Sequence, residues 1–346
     1  MKDIRQDQIF QAPRRQFLKR MGGMAAVMAA MPAGFAPSLL AAEEAEQVKG
    51  PRVDDIPAMP LSDHVHVIIS PDGFPSPINK GMMSNITFVE TAQGVVVIDS
   101  GASLQIGEMA LRQLREITDA PVIAIFNSHY HGDHWLGNHA FVNAYPDVPI
   151  YAHENTMTFI RTGQGDFWMR MMENSTDGAT AGTIATPPTV KIAHGDEFDY
   201  GDVTIRCHHY GTAHTPADVC FEIVEDQVVH VGDAAMDNRI AFMDDGSYVG
   251  TFRTFDALQE AVPEALWLPA HGNPGKEVLA NNRELFEGIY ETALQAVQDM
   301  VPPDEVTDLV LRDPRVSKYA GITEGFDDNI GRYTSLAYLE AEANAF

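Results

Sequence analysis

Between Asn127 and Trp135 the chain reads Asn-Ser-His-Tyr-His-Gly-Asp-His-Trp. Four side chains able to bind a metal, His129, His131, Asp133 and His134, fall within six residues. They follow an apolar run, Pro121 to Phe126, that predicts a buried strand. In a loop at the end of such a strand, His129 and His131 can point the same way while Asp133 and His134 turn to a neighbouring position. That arrangement suits two cations close together rather than one. Three later segments share a form, an apolar strand ending in one polar ligand beside Gly or Pro. They are Gly211-Thr212-Ala213-His214-Thr215-Pro216, Val229-His230-Val231-Gly232-Asp233 and Leu268-Pro269-Ala270-His271-Gly272. Each is weak alone, because a lone histidine after a strand is more often a satisfied loop residue; together, behind the first cluster, they are strong. Imidazole and oxygen donors without a thiolate suit zinc, and would also admit iron or manganese.

The surrounding pattern supplies elements that could hold these loops. Short apolar segments predict strands over 64–70, 84–90 and 94–99, with Ala92-Gln93-Gly94 as a hairpin turn. Ile106, Met109, Leu111, Leu114 and Ile117 recur at helical spacing over 105–117, a further helix is expected at 135–144, and a strand at 149–152. The strand theme returns at 190–194, 197–200, 203–210, 219–225 and 227–232, then a helix near 254–262 and a strand at 265–269. A long helix over 276–300 gathers Val278, Leu285, Phe286, Ile289, Ala293 and Val297 on one face. Two such halves, without a sequence repeat, imply two sheets covered by helices on the outside. Residues 154–190 carry Phe159, Phe167, Trp168, Met169, Met171 and Met172 before a Gly/Thr/Ala/Pro-rich stretch. They predict either a helix and loop over the core or a lid bringing apolar side chains to a pocket mouth.

These segments, in this order, resemble the metallo-β-lactamase-fold superfamily across roughly residues 61–300. The resemblance implies an α+β fold, an αββα sandwich of two mixed sheets flanked by helices, with the site at one edge of the sheets. It implies two zinc ions per chain, one held by His129, His131 and His214 and one by Asp133, His134 and His271, with Asp233 bridging both. Asp99, in Val97-Ile98-Asp99-Ser100-Gly101, matches a motif near the family's site and is expected to orient a ligand rather than to be one. The seven-residue set is similar to that of glyoxalase II-like thioesterases. It implies a hydrolase of an ester, thioester or lactam-type bond in a small-molecule substrate, in which water shared by two cations is ionised near neutral pH and Asp133 orients it. The alternatives are an oxidoreductase similar to persulfide dioxygenases, which use a single iron, and a β-lactamase. Arg239, the first basic residue after Asp233, is expected at the surface rather than in a substrate clamp. The substrate-binding residues are otherwise unassigned. His64, His66, His139, His153, His194, His208, His209 and His230 match no position of the pattern and are expected to be structural.

Composition bounds the partners. The 346 residues hold 23 Lys and Arg against 49 Asp and Glu, a formal charge of −26, which disfavours nucleic acid and anionic lipid. Six of the basic residues lie in the first twenty, and residues 21–42 carry no charge. With Arg14-Arg15-Gln16-Phe17-Leu18-Lys19, the segment 1–42 reads as a twin-arginine export signal and predicts a periplasmic enzyme without stable membrane insertion. Residues 43–60 are expected to form a tether, 61–300 the main domain and 301–346 a helical extension. Cys207 and Cys220 fall on opposite strand parities, which favours two thiols over a disulfide.

Overall fold

The computed structural model describes residues 48–71, 73–240 and 243–345. The expected signal at 1–42 and the first part of the tether lie outside these residues. Two sheets face each other. The first has seven strands in sequence order, β1 (Met59–Pro60), β2 (Val65–Ile68), β3 (Ile86–Thr91), β4 (Gly94–Ile98), β5 (Val122–Phe126), β6 (Ile150–His153) and β7 (Val190–Ile192). Strands β1 to β4 pair antiparallel and β4 to β7 parallel. The second has five, in the order β12 (Leu266–Pro269), β11 (Val228–Gly232), β10 (Cys220–Ile223), β9 (Thr204–His208) and β8 (Glu197–Asp199), with only β11 and β12 parallel.

The apolar runs are continuous because both faces of these strands are covered. Along β4, Val95 and Val97 face α1 (Leu104–Ile117), where Ile106, Met109 and Leu114 pack, while Val96 and Ile98 face the second sheet. Phe126, Phe221, Ile205, Cys207 and Leu268 fill the space between the sheets. Beyond the second sheet, Val229, Val231 and Cys220 pack with Phe255 and Leu258 of α6 (Tyr248–Ala261). The order is therefore helix, sheet, sheet, helix. Cys207 and Cys220 lie on opposite faces of that sheet, and both are free and buried.

Four local results refine the sequence expectations. The helix expected at 135–144 is two, α2 (Gly132–Trp135) and α3 (Asn138–Ala144). Gly137 separates them where a Cβ would sit 2.0 Å from the Ser100 carbonyl oxygen. Residues 154–175 form α4 (Glu154–Phe159), a π-helical turn (Ile160–Gln164) and α5 (Gly165–Ser175) over the first sheet, combining the two expectations for that stretch. Residues 48–60, expected as a tether, are docked from Val48 onward: Val53 is buried, Lys49 pairs with Glu108 at 2.5 Å, and Arg112 Nε donates to Asp55 at 2.8 Å. The C-terminal helices α8 (Pro303–Val310), α9 (Pro314–Ser317) and α10 (Phe326–Ala345) pack on α7 (Val278–Gln298) through Val306, Val310, Ile330, Tyr333, Leu285 and Ile289. Among the described residues no helix is long and apolar enough to cross a membrane.

Candidate metal centre

The C-terminal ends of β4, β5, β9, β11 and β12 meet at one edge of the sandwich, and each feeds one part of a buried cluster. The loop after β5 carries His129 and His131, and α2 begins with Asp133 and His134 in its first turn. His214 lies in the loop after β9, Asp233 directly after β11 and His271 two residues after β12. Two groups result. One ligand atom from each of His129, His131, His214 and Asp233 lies within 4.8 Å of the others, and the same holds for Asp133, His134 and His271. Asp233 touches both groups: its Oδ2 is 3.4 Å from His214 Nε2 and 3.5 Å from His134 Nε2, and its Oδ1 is 3.4 Å from His271 Nε2. Asp133 Oδ2 is 3.3 Å from the Nε2 atoms of both His134 and His271. The structure thus brings together all seven side chains singled out from the sequence.

The donor chemistry fits cations. His129 Nε2, Asp133 Oδ2, His134 Nε2 and Asp233 Oδ1 are buried, face this cluster and make no hydrogen bond. Buried polar atoms without partners are costly, and several converging on one point are what a metal would satisfy. The other ring nitrogens are committed elsewhere. His134 Nδ1 donates to Asp99 Oδ2 at 2.9 Å and His271 Nδ1 to the Met83 carbonyl at 2.6 Å, so each Nε2 lone pair is aimed inward. Asp99 also accepts from the Ser128 amide and hydroxyl, both at 2.8 Å, and Ser128 Oγ lies 3.1 Å from His129 Nδ1. Asp99 therefore lies behind the cluster, hydrogen-bonded to the His134 ring and, through Ser128, next to that of His129.

The electrostatics divide the donors, with His129 and His131 held neutral and, against burial, His134 and His271 drawn toward protonation by carboxylates that a cation would otherwise satisfy. Burial, reinforced by neighbouring histidines, holds the His129 pKa well below its ordinary value and brings that of His131 to about 3, so both stay neutral. Burial works against the Asp133 and Asp233 charges, but the adjacent His134 and His271 hold both carboxyls well below the usual range. For His134, burial opposes the charged ring while Asp133, Asp233 and Asp99 raise its pKa well above the ordinary value.

The groups open onto a cavity of about 620 Å³ whose lining includes Phe74, Phe167, Trp168, Met171, Arg239, Asp244 and Arg332. Trp168 packs its ring 4.8 Å from that of His131, and a Cβ on Gly132 would come within 2.7 Å of the Trp168 Cβ, so α5 can approach only because residue 132 is glycine. Arg239 corrects the expectation of a surface residue. Its side chain is buried in the cavity wall, with Nη1 donating to the Gly73 carbonyl at 3.1 Å and the guanidinium 5.1 Å from the Phe74 ring. A strand bridge from Arg239 to Glu324 of the C-terminal region holds it there, a contact no local pattern announces.

Sequence reasoning also missed Asn85. Its amide nitrogen donates to the Pro269 and Gly272 carbonyls at 2.9 and 2.8 Å, clamping the His271 loop to the start of β3. Asp218 similarly holds the His214 loop through the Thr215 amide and hydroxyl. The remaining histidines lie outside both groups. His64 pairs with Asp226 at 2.6 Å, His208 with Glu222 at 2.8 Å, and His153 stacks on His209 with ring centroids 4.2 Å apart. His230 is fully buried beneath the cluster, 3.9 Å from Asp99 Oδ2.

Comparison with known proteins supports this reading of the fold. The Metallo-beta-lactamase superfamily profile matches residues 79–307. A linear primary-alkylsulfatase of a Pseudomonas species is 24% identical over 271 residues, 67% of this chain and 50% of the relative, so the match spans half the length of that protein. A metallo-β-lactamase from Pontibacter korlensis superposes with a TM-score of 0.55 at 20% identity, over 67% of this chain and 99% of its own. A double mutant of the sec-alkyl sulfatase PisA1 superposes at 0.62 and 16% identity, over 84% of this chain and 50% of its own. With the profile covering most of the chain, and two mixed sheets carrying His and Asp groups that could hold metal at one edge, the chain belongs to the metallo-β-lactamase superfamily.

Proposed function

We propose that the chain is a periplasmic dinuclear zinc hydrolase acting on an ester, thioester or lactam-type bond of a small molecule. The observation that carries this reading is the convergence of seven donors in two groups that share Asp233. His129, His131 and His214 would hold one ion and Asp133, His134 and His271 the other, with Asp233 between them. Two divalent cations there would supply a water nucleophile at neutral pH and polarise the bond to be cleaved. The chain's own contribution is positioning. Asp133, kept ionised by His134 and His271, would hold one ion through Oδ2 and help orient the attacking water. Asp99 and the Met83 carbonyl lock the tautomers of His134 and His271. Trp168, Phe167 and Met171 wall the cavity with apolar surface and limit water beside the reacting atoms. The twin-arginine pattern at Arg14 and Arg15 supports export.

The test is metal analysis with a substrate panel. Purified protein should hold close to two zinc ions per chain, and a chelator should abolish hydrolysis of at least one ester, thioester or lactam. Asp233→Asn should weaken the second ion first. A single iron with oxygen uptake on a persulfide would replace this reading with the oxidoreductase one. Full metal retention and activity in Asp233→Asn would refute the bridging role.

A further inference from the structure

Resting on that reading, we propose that the acyl part of the substrate is apolar and lies along α5, with Phe167 and Met171 as the residues that select it. Phe167, Trp168, Met171 and Ser175 of α5 all line the cavity, and Gln164 lines it just before the helix begins. They recur at helical spacing, so one face of the helix is turned to the cavity. The other faces are accounted for. Met172 is buried in the core on the helix side of the first sheet, and Asp166, Arg170, Glu173 and Asn174 are exposed. The cavity face is a third one, and it is apolar although it meets neither the core nor open water alone.

Phe167 is 52% exposed, and it is the only exposed aromatic side chain among the described residues. One exposed apolar residue is ordinary, but this one is continuous with others. Its ring centroid lies 5.9 Å from that of Trp168, which is 5% exposed and lies 4.8 Å from the His131 ring. The apolar surface therefore begins beside the donor cluster and leads outward to Phe167. Met83 and Pro75 line the same cavity. The Trp168 indole N–H is itself buried, so between Gln164 and Ser175 the α5 face presents carbon and sulfur. The charged groups of the wall are engaged elsewhere: Asp245 accepts from the Tyr130 hydroxyl at 2.6 Å, Asp244 pairs with Arg332, and Arg239 donates to the Gly73 carbonyl.

An apolar chain laid on this face removes both surfaces from water, whereas a charged one loses hydration there and gains no partner. The acyl carbon is the atom that water attacks at the donor cluster, so its substituent is the part held nearest the Trp168 end of the wall. Hydrolysis adds water across the acyl bond and releases the acid with the alcohol, thiol or amine, so carboxylic acids of rising length are both products and probes. The cavity, about 620 Å³, has room for a medium-length chain.

The zinc-loaded full chain should be assayed with p-nitrophenyl acetate, butyrate, hexanoate and octanoate. Each added methylene should raise kcat/KM by up to about fourfold, so that hexanoate is preferred to acetate by about tenfold or more. Phe167→Ser should cut that ratio by about threefold or more, and Phe167→Leu, which keeps an apolar side chain, should retain most of it. A flat wild-type series, or an unchanged ratio in Phe167→Ser at equal zinc content and Tm, overturns the proposal. Sedimentation at the assay concentration tests a second copy of the chain as the occupant of this face: a dimer that Phe167→Ser dissociates overturns the proposal, and an unchanged state supports it. If no ester is hydrolysed, the bond class of the previous section fails, and calorimetric titration with acetate, hexanoate and octanoate still decides this one. Affinity that rises with chain length and loses that rise in Phe167→Ser supports it; equal affinity for the three acids overturns it.

Discussion

Asp99→Asn isolates the contribution of charge beneath the ligand cluster. Asp99 is fully buried and adopts φ 53°, a left-handed conformation that Asn tolerates as well as Asp, so the backbone can stay in place. Its Oδ1 accepts from the Ser128 amide, and its Oδ2 accepts from the Ser128 hydroxyl and His134 Nδ1. Asn has one acceptor oxygen in place of two. If that oxygen stays on the Ser128 amide, the new NH2 faces His134 Nδ1, and two donors meet. The ring escapes by moving its proton to Nε2, the atom aimed at Asp133 and Asp233. A protonated Nε2 cannot ligate. Holding the other tautomer leaves a buried donor unpaired, at a cost of about 1–3 kcal/mol. That range corresponds to about a 10–100-fold loss of metal affinity, the usual effect of removing a partner behind a ligand. The assay is competitive chelator titration of the two ions, with activity measured at saturating zinc. The weaker ion should be lost about 10–100-fold more readily, and excess zinc should partly restore activity. Affinity within twofold of wild type would refute the argument that Asp99 acts through His134.

Four other outcomes follow from the structure. Chelation should lower Tm, and zinc at a thousandfold over its Kd should stabilise the fold by about 4 kcal/mol, read by calorimetry with and without the ion. Burial pushes the Cys207 thiol up to about 12 and Cys220 further, so a thiol reagent should label neither in the folded chain and both in denaturant. The hydrogen bond with Asp226 raises the pKa of His64 against an opposing effect of burial; burial raises that of Asp226 but is outweighed by the hydrogen bonds from Ser62 and His64, which lower it. The His64 contribution is complete below its unfolded value, near 6.5, and lost as pH rises through the raised folded value; that of Asp226 is lost as pH falls through its lowered one. His64→Gln should therefore cost more stability at pH 5–6 than at pH 9 in urea unfolding. Finally, Glu340→Ala removes the acceptor shared by Ser247 and Tyr248 at the start of the helix over Tyr248–Ala261, and should cost about 1–2 kcal/mol in the same assay.

The strands and the first ligand cluster are legible because their information is local. Val95 to Ile98 and Val122 to Phe126 are apolar at every position, and a strand buried on both faces needs nothing else to be found. His129, His131, Asp133 and His134 fall within six residues, so their spacing alone suggests a site. Features set by distant contacts are not legible in this way. The helix over Tyr248–Ala261 begins earlier than its apolar pattern predicts, because the Ser247 hydroxyl caps the Gly250 amide and Glu340 caps it from another helix. Asn85 looks like any strand-flanking polar residue until β12 is laid beside it.

Arg239 shows the same limit in the cavity wall. An arginine in a polar loop is a surface residue on every local criterion. Its burial arises because the segment following Asp233 is pinned by Glu324, with the Ile240 amide donating to the Glu324 carbonyl at 3.1 Å and the Glu324 amide to that of Asn238 at 2.8 Å. The seven donors come from four strand ends, those of β5, β9, β11 and β12, but the burial of Arg239 depends on how a C-terminal helical region folds back on one loop. The donors and the cavity wall are thus encoded at different ranges in the chain: the first in short motifs at strand ends, the second in tertiary contacts of Glu324 with Asn238, Arg239 and Ile240 and of Arg332 with Asp244. A change confined to α10 should therefore reshape the cavity wall at Arg332 and Asp244 while the two donor groups keep their geometry.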